Sequence, residues 1–138
     1  MTLKSYDTLP DESVFVRTTV FVEEQGFKEE FDDIDDISTH IVAFDDDKPV
    51  GNVRFFFDKN KGKHIIGRLA VLKNYRSFGV GAMLIKEAER LAKEKGASEI
   101  CLHSQVQAKQ FYIKQGYTEF GEQDFDEDCP HQWMKKNL

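Results

Sequence analysis

Apolar positions change their period along the chain, and the changes mark out the elements. Thr39 to Phe44 alternates apolar with polar or small residues and is closed by Asp45-Asp46-Asp47-Lys48-Pro49, a strand and a turn. Val50 to Phe57 repeats the strand signal, Lys59-Asn60-Lys61-Gly62 makes a hairpin connection, and Lys63 to Leu72 returns as a third strand. Connections this short require antiparallel neighbours. From Val80 the spacing becomes helical. Val80, Leu84, Ala88, Leu91 and Ala92 form one stripe, while Lys86, Glu87, Arg90, Lys93 and Glu94 face water, which predicts a helix over 80–95 closed by Gly96. Glu99 to Ser104 reads as a strand parallel to the third one, reached by a right-handed crossover. A shorter helix follows over about 106–115, stopped by Gly116, and Tyr117 to Asn137 holds two more strands around Asp126-Glu127-Asp128.

The N-terminal third is less regular. Lys4 to Thr8 predicts a short strand, and Pro10-Asp11-Glu12-Ser13 opens a helix that runs to about Gln25 before Gly26. Lys28 to Ser38 carries Glu29, Glu30, Asp32, Asp33, Asp35 and Asp36, with Phe31, Ile34 and Ile37 recurring every third residue. That spacing predicts a helical turn or two, pinned by its apolar side chains and presenting a solvated acidic face. The alternating ligands and terminal Glu of a calcium loop are absent, so no metal site is expected. The expected fold is α/β (α+β), with a mixed, largely antiparallel central sheet of about six to seven strands flanked by helices. No linker or repeat divides residues 1–138, so one domain is expected.

Composition narrows the classes. At 138 residues and 40% hydrophobic content the chain is long enough for a genuine core, and its longest apolar runs are too short to span a bilayer. Met1 to Asp7 lacks the apolar segment of a secretory signal. Cys101 and Cys129 have no metal-ligand spacing and read as reduced thiols, so a cytoplasmic location is expected. A net charge of −6 argues against a nucleic-acid partner and suits a cationic substrate.

The chemistry concentrates between the third strand and the long helix. Leu69-Ala70-Val71-Leu72 runs into Arg76-Ser77-Phe78-Gly79-Val80-Gly81-Ala82, so an Arg-x-x-Gly-x-Gly turn sits at a helix N-terminus. There the unsatisfied N–H donors and the positive end of the macrodipole favour anions. Gly79 and Gly81 let backbone approach a phosphate, and Arg76 adds a forked, permanently charged donor.

This turn resembles the acetyl-CoA pyrophosphate signature of the GNAT superfamily of N-acetyltransferases. Ala108-Lys109-Gln110-Phe111-Tyr112-Ile113-Lys114-Gln115-Gly116-Tyr117 is similar to that superfamily's later helix. Arg17 to Gln25 and Cys129-Pro130-His131-Gln132-Trp133-Met134 resemble its ElaA-like branch. The resemblance implies acetyl transfer from acetyl-CoA to a primary amine, without a metal. It places the pantetheine arm along Leu69, Ala70 and Val71 in the manner of an added strand. It places the pyrophosphate on Arg76, Ser77, Phe78, Gly79, Val80, Gly81 and Ala82, and brings Ser104, Ala108, Phe111 and Tyr112 to the cofactor. It implies the Val71 N–H as oxyanion donor and Tyr112 as the acid that protonates the departing thiolate. A tyrosine in a phenylalanine-rich helix also serves as plain core.

The base departs from the family's pattern. Where several members carry a carboxylate early in the third strand, this chain has Ile65, and His64 alternates to the other face. Glu24, His40 and His131 are the side-chain candidates, of which Glu24 and His131 occupy motif positions of the branch, and a water chain leading from a carboxylate would serve equally well. A non-catalytic acyl-CoA-binding module is the rival reading. A dinucleotide site fits less well, because only one parallel crossover is evident and no acidic ribose contact follows. Exposed strand edges allow a homodimer.

Overall fold

The computed structural model describes residues Met1–Leu138. Its centre is an eight-stranded sheet with spatial order β1-β2-β3-β4-β5-β8-β6, and β7 also pairs with β8. The strands are β1 Thr2–Tyr6, β2 Thr39–Asp45, β3 Lys48–Asp58, β4 Lys63–Val71, β5 Glu99–Gln105, β6 Thr118–Glu119, β7 Asp124–Asp126 and β8 Cys129–Asn137. All pairs are antiparallel except β4 with β5. The architecture is the expected mixed, largely antiparallel sheet. The extra strand arises because the tail folds two short segments, β6 and β7, onto one edge of β8. β1 starts two residues earlier than expected, leaving Pro10 to cap the first helix.

β3 is buried from Val50 through Phe56, so both of its faces are covered. On one face Ile66, Ile100, Leu102 and Met134 join the main core with Leu84, Ile85 and Ala88 of α2 (Val80–Glu94). β3 comes so close to that helix that a Cβ on Gly51 would stand 2.9 Å from Leu84 Cδ1. On the other face Phe56, Ile65 and Cys101 form a smaller cluster with Ile34, Phe120 and Trp133.

The first helix covers the expected residues but changes character. α1 (Asp11–Arg17) continues directly into a wider π-helical turn, Thr18–Glu24. Thr18, Thr19, Val20 and Val22 are β-branched and crowd a tight helix, and the wider turn still buries both Val20 and Phe21. The 106–115 helix is also split, into a 3₁₀ turn Val106–Ala108 and α3 Lys109–Lys114.

The acidic segment corrects the sequence reading. Asp33–Ile37 is the expected helical turn, but the segment does not present only a solvated face: Glu30 and Asp35 are buried. Arg17, fully buried, donates to Glu30 Oε2 at 2.9 Å and to Asp35 Oδ1 at 2.7 Å. Arg54 of β3 donates to the same Asp35 oxygen at 2.7 Å and to Asp32 at 2.8 Å. The carboxylates are inside because three guanidiniums, from α1, β3 and β4, wait for them there. His40 belongs to this cluster. It is buried, bonded to the Asp35 carbonyl at 3.0 Å, and held by burial below its usual pKa, therefore neutral at pH 7.

Candidate functional site

The site begins where the sheet comes apart. β4 and β5 pair only at His64, Ile65 and Ile66 with Ile100, Cys101 and Leu102. Beyond them β4 stays with β3 as far as Val71, and β5 stays with β8 as far as Gln105. Gly67–Val71 and His103–Gln105 therefore face each other across a gap. The divergence starts at a bulge: Arg54 pairs with Gly67 and Asn52 with Ala70, so one residue of β3 spans two of β4. Arg68 sits in that bulge with φ +54°, a left-handed conformation costly for a side chain of its size. Its guanidinium returns to the buried network, donating to the Glu30 carbonyl at 3.0 Å.

Two cavities open from the gap. One, of about 230 Å³, is lined by Phe21, Gln25, Leu69, Ser104, Ala108, Phe111, Tyr112 and His131 among others. A second, of about 460 Å³, lies over the smaller apolar cluster and includes Phe31, Ile34, Phe56, Lys61 and Trp133. Both are bounded by Glu29, Ile66, Gly67, Arg68, His103, Asp126 and His131, so they are lobes of one space.

Tyr112 is buried and lines the first lobe. Burial alone pushes its phenol well above the usual tyrosine pKa, with no hydrogen bond contributing. Tyr117 offers the contrast, since its hydroxyl donates to Glu89 at 2.7 Å. Tyr112 keeps a proton that no protein group accepts.

The turn before α2 has the geometry of an anion cradle. Ser77 and Gly79 have φ of 70° and 80°, and no side chain caps the helix. The first intrahelical bond runs from Met83 to Gly79, so the N–H groups of Val80, Gly81 and Ala82 lack helical acceptors. A Cβ at Gly81 would lie 3.2 Å from Phe111 Cζ, so the ring fills the space the glycine leaves. Ala70 and Val80 point into the core and can meet a ligand only through backbone, whereas the Phe78 side chain is exposed. The Ser104 hydroxyl donates to the Gln105 carbonyl at 2.7 Å.

Arg76 is engaged elsewhere. Its Nε donates to the Val71 carbonyl at 2.9 Å, and its two terminal nitrogens grip Glu24 at 2.7 Å each. The Arg76 bonds hold the Glu24 carboxyl below its usual range, which makes it a weak base, and neither residue lines either lobe. His131 is better placed. Nδ1 donates to the Cys129 carbonyl at 2.8 Å, which leaves Nε2 as the acceptor nitrogen of a ring that borders both lobes. His64 packs against Phe57 with the ring centroids 5.0 Å apart and lines neither lobe.

Sequence reasoning missed Arg68, His103 and Asp124. His103 stacks on His131 at 4.6 Å and on Trp133 at 4.7 Å, while its Nε2 lies 2.5 Å from Asp124 Oδ1. Strand alternation in β5 separates Cys101, His103 and Gln105 from Leu102 and was the available signal. Nothing local announces the bulge at Arg68.

Two strands held apart beside an uncapped helix N-terminus, with the buried phenol of Tyr112 lining the space between them, form one candidate site. Residues 6–138 match the family described as acetyltransferase (GNAT) domain. The chain is 41% identical over 137 residues to the uncharacterized N-acetyltransferase YjcF of Bacillus subtilis, covering 97% of this chain and 96% of the relative. Escherichia coli ElaA has the same fold, with a TM-score of 0.87 over 99% of both chains at 22% identity. An aminoglycoside 6'-N-acetyltransferase crystallised with coenzyme A superposes with a TM-score of 0.76 at 17% identity, covering 99% and 97%. The chain belongs to the GNAT acetyltransferase family and is an acyltransferase that uses acetyl-CoA. The free backbone edges, the uncapped α2 N-terminus and the 230 Å³ lobe fit that co-substrate.

Proposed function

We propose that this chain is an N-acetyltransferase that moves the acetyl group of acetyl-CoA directly to a primary amine of a small molecule. The reading is supported by one observation above all: buried Tyr112, whose hydroxyl has no protein partner, lines the lobe between the splayed strands. Bound acetyl-CoA supplies an activated thioester carbonyl. Backbone groups of Leu69 and Val71, two residues apart on the gap side of β4, orient the donor, and the Val71 N–H polarises the carbonyl. The N–H groups of Val80, Gly81 and Ala82 hold phosphate oxygens, and Arg76 contributes once Glu24 releases it. His131 Nε2 takes the proton that the incoming ammonium must lose. The amine nitrogen then bonds to the acyl carbon as the carbon–sulfur bond breaks, Tyr112 donates its proton to the sulfur, and the second proton shed by the nitrogen as the amide forms returns to the Tyr112 oxygen. A phenol whose pKa is raised remains protonated at neutral pH and is reloaded without difficulty. Glu29 and Asp126, which border both lobes, favour a cationic acceptor.

The test is thiol release from acetyl-CoA against a panel of primary and tertiary amines, with the product mass checked for one added acetyl group. Release with primary amines alone is expected. If CoA raises the melting temperature yet no amine gives release, the chain binds the cofactor without catalysing this transfer.

A further inference from the structure

The larger lobe contains a cation already. Lys61, in the β3–β4 hairpin, places its ammonium 3.8 Å from the centroid of the Trp133 ring. Other lysines also lie over rings, Lys63 and Lys135 at 4.9 and 5.4 Å from Phe120 and Lys136 at 5.7 Å from Tyr117. Lys61 comes nearer to its ring than any of these and has no carboxylate partner, so the Trp133 face holds an ammonium unaided. The hairpin is anchored independently of this contact, because Asp58 Oδ1 accepts the N–H groups of Asn60 and Lys61 at 2.9 and 3.1 Å. The Lys61 side chain is therefore free to leave while its backbone stays. Trp133 is in line with the proposed proton acceptor: it stacks on His103, and His103 stacks on the nine-tenths buried His131, which borders both lobes. Two ring spacings thus separate the indole from the proton acceptor.

We propose that the Trp133 face is a subsite for a second ammonium of the acceptor, occupied in the free protein by Lys61, and that the acceptor is a diamine. One amino group of the diamine reaches His131, and the other displaces Lys61 from the ring. The proposal rests on the acetyl-transfer reading for its purpose, and its binding test does not depend on turnover.

Trp133 is the sole tryptophan in the chain, so intrinsic fluorescence reports on this subsite directly. Putrescine and cadaverine are titrated into the protein and compared with n-butylamine and n-pentylamine. The diamines should shift the emission saturably at concentrations where the monoamines do not. Lys61→Ala, an exposed turn substitution that spares the fold, should tighten diamine binding about two- to five-fold by removing the internal competitor. Equal responses to diamines and monoamines, or unchanged diamine affinity in Lys61→Ala, would overturn the proposal. Thiol release in the same samples separates the two readings. Diamine binding without release leaves the subsite standing and removes acetyl transfer. Release with no diamine-specific fluorescence change does the reverse.

Discussion

Asp35→Asn and Glu30→Gln remove one charge each from the same buried network, and the structure predicts unequal costs. Asp35 Oδ1 accepts from both Arg17 and Arg54 at 2.7 Å, and its side chain is 5% exposed. Burial pushes its carboxyl up, but the hydrogen bonds from those two guanidiniums outweigh that and hold it below the usual aspartate range. Asparagine would leave two guanidiniums short of a shared counter-charge, a defect of about 3–5 kcal/mol. With an unfolding entropy of about 2.1 cal/mol/K per residue over 138 residues, Tm should fall by about 10–17 °C. Glu30 is the opposite case. Burial lifts its carboxyl above the usual range despite Arg68 and Arg17, so its ionised form costs the fold something at neutral pH. Glutamine keeps an acceptor for Arg17 Nε without that cost, and its Tm should stay within about 3 °C of wild type. The pH dependence has a definite sign. A depressed folded pKa makes the Asp35 contribution present above about pH 3.9 and lost as pH falls through the folded value. The Glu30 contribution is present below about pH 4.3 and lost as pH rises through its raised folded value. The Asp35→Asn deficit, followed by calorimetry, should therefore be widest near neutrality and close in acid. Equal losses for the two variants at pH 7, or an Asp35→Asn protein within 3 °C of wild type, would refute this reasoning.

Tyr112→Phe should lower kcat by about 10²–10⁴-fold while leaving the KM for acetyl-CoA and the melting temperature near wild type, because no protein group bonds the hydroxyl. Unchanged turnover would remove Tyr112 as the acid. Arg76→Ala should weaken CoA binding in isothermal titration, and Glu24→Gln should strengthen it on the order of two- to five-fold by freeing the fork that Glu24 holds. Equal affinities in all three proteins would take Arg76 out of the phosphate site.

Elements with a clean period were legible in the sequence. The alternation in β2 and β3 and the stripe on α2 marked out the sheet and its covering helix, and the glycine turn marked the uncapped start of α2. The buried charge network was not legible, because long-range pairing makes it. Nothing within Lys28–Ser38 shows that Arg17, Arg54 and Arg68 will meet its carboxylates, so its charge density reads as solvated surface. The same holds for His103, whose partners Asp124 and Trp133 come from β7 and β8. Tyr112 was visible only through motif resemblance, since burial next to Tyr117 would suit an ordinary core residue equally well. The bulge at Arg68 depends on a register shift against β3 that no local pattern encodes.

The three residue pairs that join β4 to β5 are a seam between two leaves of sheet. Arg68 and the buried charge network belong to the β4 leaf, while His131, His103 and Trp133 belong to the β5 leaf. A ligand lying in the gap and bonding both backbone edges would act as a stitch, restoring the ladder that the bulge interrupts. Mechanical stiffness across the sheet would then vary with occupancy. On the proposed mechanism that seam runs beside the reacting atoms, so a bound substrate would itself align His131 on one leaf with a thioester held along the other.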